Sequence, residues 1–124
     1  MKTLRMNKII ALLADRDFTH NGAVLDLFGR KAMIPKGAAM FSLKTDSPIV
    51  PVFLMRKKNR TFDLDIGEAI CPDQFQKGAD EKENMIAIMR QYTKIIEDKI
   101  KQYPSQWLMF RKFWVDEPVV EGEA

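Results

Sequence analysis

The segment PIVPVFLMRKKNRTFDLDI, residues 48–66, sets the expected fold class of this chain. Residues 48–55 form its most apolar run and predict a central strand, although Pro51 indicates an irregularity or an edge position. A basic turn follows at residues 56–60. In residues 61–66 apolar and polar side chains alternate strictly, which predicts a half-buried strand with a covered face formed by Phe62, Leu64 and Ile66.

The flanking segments predict further strands and two helices. Residues 7–14 predict a buried strand, with a helix as the competing interpretation, and residues 23–28 predict another strand that Gly29 stops. Residues 35–44 predict a helix. In residues 80–103 apolar side chains recur at i, i+3, i+4 and i+7, which predicts the longest helix. The order of elements predicts an α/β fold, a mixed sheet flanked by helices.

Length and composition exclude several classes of protein. The 124 residues suffice for one ordinary domain. One cysteine, Cys71, cannot form an internal disulfide, fits a reducing compartment and, with one histidine, leaves too few ligands for a Cys/His zinc site. The longest apolar runs, 9–14 and 48–55, are shorter than the ~20 residues that cross a bilayer.

The charge of the chain is unevenly distributed. Four of the 17 acidic residues lie in 116–124, where there is no Lys or Arg, so the 20 basic residues leave residues 1–115 with a formal charge of +7. We expect 116–124 to be a disordered acidic tail and 1–115 to be the folded domain. The basic excess suits phosphorylated metabolites, anionic lipid surfaces or nucleic acid, and charge alone does not choose among them.

Two clusters have the residue types of a ligand site. Asp15, Arg16 and Asp17 follow a predicted strand, where an open α/β sheet places its ligand crevice, and they either organise a substrate or cap a turn. Lys36 and Gly37 begin a predicted helix, where backbone N–H groups, the helix dipole and an ammonium favour an anion. The alternative there is an ordinary helix start with a solvated lysine.

The only histidine, His20, is the first candidate for a general base. It lies in a polar turn, which favours a surface histidine, and a contact with Asp26 stays open. We therefore assign no catalytic residue.

An aromatic and basic segment follows the long helix. Its indoles and cations, Trp107, Arg111, Lys112 and Trp114, suit a membrane headgroup region. A closing core segment with exposed basic residues is an equally good interpretation. Such a mixture also suits single-stranded nucleic acid, but no RNA-binding motif accompanies it and we expect no nucleic-acid partner.

Three blocks of sequence then carry a family resemblance. They are residues 13–17 (LADRD) with 22–32 (GAVLDLFGRKA), residues 36–39 (KGAA) with 44–53 (KTDSPIVPVF) and Arg56, and residues 103–114 (YPSQWLMFRKFW). In order and spacing they resemble the lipid A biosynthesis acyltransferases, the lauroyl and myristoyl transferases of the lysophospholipid acyltransferase superfamily, in their C-terminal part. Met109 and Phe110 stand where that family more usually has Trp and His.

The resemblance implies transfer of a fatty acyl group to a lipid hydroxyl. The donor would be an acyl-carrier-protein or coenzyme A thioester, and the acceptor a lipid A precursor or related glycolipid at the cytoplasmic face of the inner membrane, with the enzyme peripheral to it. No cofactor is implied. The substrate-binding residues would be Asp15, Arg16, Asp17, Lys36, Gly37 and Arg56.

Members of this family carry a His-x-x-x-x-Asp or His-x-x-x-x-Glu pair upstream of the first block. Here His20 lies after that block, and Leu25 stands five residues on. We therefore expect a fragment that is inactive alone and that, because of exposed apolar surface and an unpaired sheet edge, self-associates or needs a partner. The alternative is a non-catalytic basic module that binds anionic membrane or nucleic acid.

Overall fold

The first half of the fold is built on a tight hairpin. The computed structural model describes residues 1–16, 21–75, 80–110 and 113–115. Strands β1 (Ala23–Leu27) and β2 (Arg30–Ile34) pair antiparallel, from Ala23 opposite Ile34 to Leu27 opposite Arg30. The two residues between them, Phe28 and Gly29, have φ values of 53° and 74°. This conformation suits the right-handed twist of paired strands. The first strand was predicted from sequence and is confirmed, whereas β2 was not predicted.

The quoted segment forms a second hairpin. Strands β3 (Val52–Arg56) and β4 (Phe62–Ile66) pair antiparallel, and an isolated bridge between Ile49 and Ile70 lies beyond them. Pro51 stands just outside β3, and its carbonyl accepts a hydrogen bond from the Gly67 N–H at 2.9 Å. This bond continues the ladder beyond Val52. Because β3 belongs to a two-stranded sheet in the described residues, the edge position indicated by Pro51 is confirmed and the predicted central strand is wrong.

The α/β class is confirmed, but the sheet differs from the expectation. The described residues contain two separate two-stranded antiparallel sheets instead of one mixed sheet. Both connections are short turns, which permit only antiparallel pairing, since a parallel pair needs a crossover of a dozen or more residues.

The covered face predicted for β4 is wrong. Phe62, Leu64 and Ile66 are 56%, 60% and 62% exposed. Their alternation puts them on one side of the strand as expected, but no other described element covers that side.

The strand predicted at residues 7–14 is also wrong. A short helix, α1 (Lys2–Arg5), precedes it, and residues 7–14 have no regular secondary structure. Ile9 and Leu13 are 95% and 75% exposed. A strand needs a partner for its backbone groups, and no described strand pairs with this segment.

Both predicted helices are confirmed. Helix α2 (Gly37–Thr45) ends at Asp46, which has a left-handed φ of 54°. Helix α3 (Glu81–Gln102) begins at Asp80, whose carboxylate accepts the Lys82 N–H at 3.0 Å. Single 3₁₀ turns lie at Pro72–Gln74 and Pro104–Gln106. Within the described ranges, no helix combines the length and the apolar character needed to cross a membrane.

The core lies between the first hairpin and helices α2 and α3. It contains Leu25, Leu27, Ala32, Ile34, Ala39, Ile70, Ile88, Met89 and Tyr92. Residues 113–115 extend the edge of β2, because Trp114 forms a bridge with Ala32 and the Val115 N–H donates to the Lys31 carbonyl. This edge brings the last described residues against the core. The predicted acidic tail, 116–124, lies outside the described residues.

Candidate functional site

Arg16 is held against a segment distant in sequence. It is half-buried, and its Nη2 donates a hydrogen bond to the Leu108 carbonyl at 2.6 Å. The neighbouring Asp15 is also half-buried, whereas Asp17 and His20 lie outside the described residues. Asp26 forms an ion pair with Lys31 at 2.9 Å across the first hairpin.

Arg56 reaches the same segment from the second hairpin. Its backbone N–H donates to Gln106 Oε1 at 2.8 Å, and Gln106 Nε2 donates back to the Arg56 carbonyl at 3.0 Å. These two bonds fix the end of β3 to residues 104–110 and leave the Arg56 guanidinium exposed. Arg16 through its guanidinium and Arg56 through its backbone therefore contact positions only two residues apart, Leu108 and Gln106.

Lys36 and Gly37 lie at the open start of α2. Lys36 is the residue before the helix, no side chain caps this end, and the first turn has no acidic residue. The Lys36 Nζ lies 3.4 Å from Asn21 Oδ1, and a side chain at Gly37 would meet nothing within 4 Å. The N-terminal N–H groups of α2 are thus accessible, as an anion would require. Among the described residues, Lys36 shares no hydrogen-bond partner with Arg16 or Arg56.

Tyr92 positions this helix start, although no feature of the sequence indicates it. Its hydroxyl donates to the Pro35 carbonyl at 2.6 Å, immediately before Lys36. Burial raises the pKa of Tyr92 well above its usual value, so the hydroxyl stays a proton donor. The α3 core face thereby sets where α2 begins.

The aromatic residues near the end of the chain pack on one another. Trp107 and Trp114 lie edge-to-face with each other and with Phe113, and Trp114 also packs against Phe28. The Arg30 guanidinium lies 5.0 Å from the centre of the Trp114 ring. Both indoles are half-buried at the edge of the core. Membrane contact by Trp107 and Trp114 stays a prediction, and Arg111 and Lys112 lie outside the described residues.

A cleft of about 310 Å³ separates the first hairpin from α3. Its polar lining comprises Asp26, Lys31, Arg90, Thr93, Lys94 and Glu97. The Phe28 N–H, which donates to Glu97 at 3.0 Å, and the Lys101 ammonium hold the pKa of Glu97 below its usual value. Thr93 is buried, and its hydroxyl has no hydrogen-bond partner among the described residues.

The described residues contain no group of three or more His, Cys, Asp or Glu side chains placed to hold a metal ion. The polar groups brought together here are cations and backbone donors, which suit anion binding more than metal ligation.

Comparison with known proteins gives the family. Residues 1–115 match the model of the bacterial lipid A biosynthesis acyltransferases. A phosphatidylinositol mannoside acyltransferase of Mycolicibacterium smegmatis is 27% identical over 109 residues, which are 88% of this chain and 33% of that protein. A phosphatidylinositol mannoside acyltransferase of Mycobacterium tuberculosis is 35% identical over 48 residues, 39% of this chain and 15% of that protein.

The chain therefore spans at most a third of the length of these relatives. The family match covers residues 1–115, nearly the whole of this chain. That these residues correspond to the C-terminal part of such an enzyme stays a prediction. Because the match covers residues 1–115, this chain belongs to the bacterial lipid A biosynthesis acyltransferase family.

Proposed function

We propose that this chain is part of an acyltransferase that moves a fatty acyl group from a thioester to a hydroxyl of a glycolipid. The family match over residues 1–115 is the observation that carries the proposal. The relatives named as phosphatidylinositol mannoside acyltransferases support a sugar-bearing lipid as the acceptor. An acyl-carrier protein or coenzyme A would carry the donor, and the reaction would take place at the cytoplasmic face of the inner membrane.

In this reaction the acceptor hydroxyl attacks the thioester carbonyl while a general base takes its proton. The C–S bond then breaks, and the thiolate leaves and is protonated to a thiol. The only histidine of this chain, His20, is followed five positions later by Leu25, so the sequence contains no His-x-x-x-x-Asp or Glu pair. Loss of a general base costs typically ~10²–10⁴ in rate, and we assign no catalytic step to this chain alone.

The role that we assign to this chain is recognition of an anionic group of the substrates. The guanidinium of Arg16 donates one hydrogen bond to the Leu108 carbonyl, and the Arg56 side chain is exposed. Guanidinium groups present several N–H donors in a planar fork that matches phosphate oxygens. The open start of α2 at Lys36 and Gly37 offers a second set of donors. These groups suit the phosphate of a glycolipid or of the donor.

Binding of a short-chain phosphatidylinositol mannoside to the chain, measured by calorimetry below the micellar concentration, tests this role. Arg16→Gln and Arg56→Gln should each weaken binding by at least about 10-fold, since a hydrogen bond to a charged group contributes ~1.5–3 kcal/mol after its exchange with water. Lys44→Gln is the matched control, because Lys44 is an exposed cation at the opposite end of α2.

Equal losses for all three variants would show a general charge effect and contradict the assigned site. The same titration with phosphatidylinositol, which lacks the mannose, separates recognition of the sugar from recognition of the phosphate. Turnover by this chain with acyl thioester and glycolipid should be absent. Robust turnover that His20→Ala abolishes would show that His20 is the base.

A further inference from the structure

The second hairpin, residues 52–66, exposes one apolar face. Direct cross-strand pairs place Val52 beside Ile66, Leu54 beside Leu64, and Arg56 beside Phe62. Side chains of directly paired residues lie on the same side of an antiparallel sheet, so the five apolar members form one continuous surface. Each of the five is more than half exposed. We call this surface the hairpin face.

The opposite side of the same hairpin carries the half-buried Phe53 and Met55 together with Asp63 and Asp65, and it is linked to α3. Lys99 of α3 forms an ion pair with Asp65, and its Nζ lies 5.3 Å from the centre of the Phe53 ring. Lys57 pairs with Asp63 at 3.1 Å. Helix α3 is therefore joined to this opposite side, and the hairpin face points away from it.

The tip of the hairpin concentrates positive charge. Four of the five residues from 56 to 60 are Arg or Lys. Lys57 is paired with Asp63, whereas Arg56, Lys58 and Arg60 have no ionic partner within the described ranges, and all three are exposed. The hairpin thus combines an exposed apolar face with a cationic tip at one end.

We propose that the hairpin face and its tip bind the surface of an anionic lipid bilayer. An interfacial element buries an apolar face at the boundary of headgroups and acyl chains while nearby cations meet anionic headgroups. The charge of the tip is complementary to such a surface and selects it over an uncharged partner. Within the described ranges no further strand pairs with the outer edges of β3 and β4, so the contact stays in the polar interface and does not enter the hydrocarbon core.

This surface differs from the predicted aromatic contact, because Trp107 and Trp114 are half-buried in their own cluster. The hairpin face would attach the chain to a membrane, and this proposal does not depend on the proposed acyltransferase function. Lipid vesicles without glycolipid acceptor or acyl donor therefore test it separately.

The experiment is co-sedimentation of the chain with vesicles that contain phosphatidylglycerol, compared with vesicles of phosphatidylcholine alone. The variant Leu54→Ser with Leu64→Ser should lower the affinity for anionic vesicles by at least about 10-fold, since it removes apolar surface from the contact. Lys58→Gln with Arg60→Gln should lower it by about 10-fold at low salt and little at high salt, because salt screens the attraction of the tip.

Val24→Ser is the matched control, because Val24 is an exposed strand residue of the other hairpin. It should leave vesicle affinity unchanged. All four substituted side chains of the test variants are exposed, and an unchanged thermal transition verifies that the variants fold.

Three results would overturn the proposal. The wild-type chain could ignore anionic vesicles at low salt. The Leu54/Leu64 variant could bind them as tightly as the wild type does. Finally, that variant could turn a self-associated chain into a monomer without changing vesicle affinity, which would assign the hairpin face to a second copy of the chain.

Discussion

The two hairpins have strands of equal length and the same antiparallel pairing, yet opposite surroundings. In the first hairpin, residues 23–34, the side chains of Leu25, Leu27, Ala32 and Ile34 are all buried. In the second hairpin, the corresponding apolar face is exposed along both strands. Helix α3 makes the difference, because its core residues Ile88, Met89 and Tyr92 are buried in one cluster with the first hairpin.

Alternation of apolar and polar residues therefore identifies which side chains share a face, but not what covers that face. The sequence TFDLDI, residues 61–66, alternates more strictly than RKAMI, residues 30–34. The less regular strand is nevertheless the buried one. Burial depends on a partner element, which a local pattern does not encode.

The largest expected effect is a difference in unfolding free energy between one leucine substitution in each hairpin. Leu27 is 1% exposed and Leu64 is 60% exposed. Leu27→Ala should lower the free energy of unfolding by about 3 kcal/mol, because it leaves a cavity in the core. Leu64→Ala should lower it by less than about 0.5 kcal/mol, since an exposed side chain loses little burial. Urea unfolding of both variants measures the difference.

If Leu64→Ala lowered the free energy of unfolding nearly as much as Leu27→Ala does, the two hairpins would not differ in burial. It would mean that the hairpin face is covered in solution. Repeating the measurement over a range of protein concentrations then shows whether a second copy covers it, because the stability of an associated chain depends on concentration.

The two hairpins also differ in how α3 is joined to them. Glu97 accepts the N–H of Phe28 in the turn of the first hairpin, and these contacts lower its pKa. The corresponding link to the second hairpin is the ion pair of Lys99 with Asp65.

Because the pKa of Glu97 is lower in the folded state than in the unfolded state, its contribution to the free energy of unfolding depends on pH. Its stabilisation is present above the unfolded pKa of ~4.3 and is lost as the pH falls through the lower folded pKa. Glu97→Gln should therefore lower the free energy of unfolding by about 1 kcal/mol at pH 7, and the difference from wild type should shrink below about pH 4.

Urea unfolding at pH 7, 4 and 3 measures this dependence. The control is Glu68→Gln, since Glu68 is an exposed loop carboxylate with no ionic partner in the described ranges. A pH-independent difference between wild type and Glu97→Gln would contradict the prediction, because it would show that ionisation of Glu97 does not contribute to stability.

Much of the fold was predictable because local periodicity specifies helices well. The recurrence of apolar residues in α3, and the proline and small residues that begin α2, identify both helices. Strand β2 was missed because only Ala32 and Ile34 mark its buried face and its turn contains Phe28 at positive φ in place of the usual Asn-Gly. Residues 7–14 have strand-like composition, but no described strand pairs with them.

The candidate site was predictable by residue type but not by contact. Arg16 and Arg56 could be named from sequence, but the bond from Arg16 to Leu108 spans 92 residues and no local pattern indicates it. The periodic pattern of α3 places Tyr92 on its apolar face but does not indicate that the Tyr92 hydroxyl bonds to the Pro35 carbonyl just before α2. Side chains that position others across the fold leave no periodic signal.

The smallest expected effect concerns the two turns. The first hairpin has Gly29 at a φ of 74°, whereas the second has Arg60 at 65°. A left-handed conformation costs an L-residue with a side chain ~1–2 kcal/mol, and glycine avoids that cost but loses more entropy on folding. Arg60→Gly should therefore raise the free energy of unfolding by about 0.5 kcal/mol, and Gly29→Ala should lower it by about 1 kcal/mol.

A steric clash does not add to the effect of Gly29→Ala, because a side-chain carbon at that position would meet nothing within 4 Å. Thermal unfolding of both variants gives the sign of each effect. Destabilisation by Arg60→Gly would show that the Arg60 side chain makes a stabilising contact at the tip in solution. The tip would then not be free to bind an anionic surface. The proposed difference between the two hairpins, a cationic tip on the second one only, would be contradicted at Arg60.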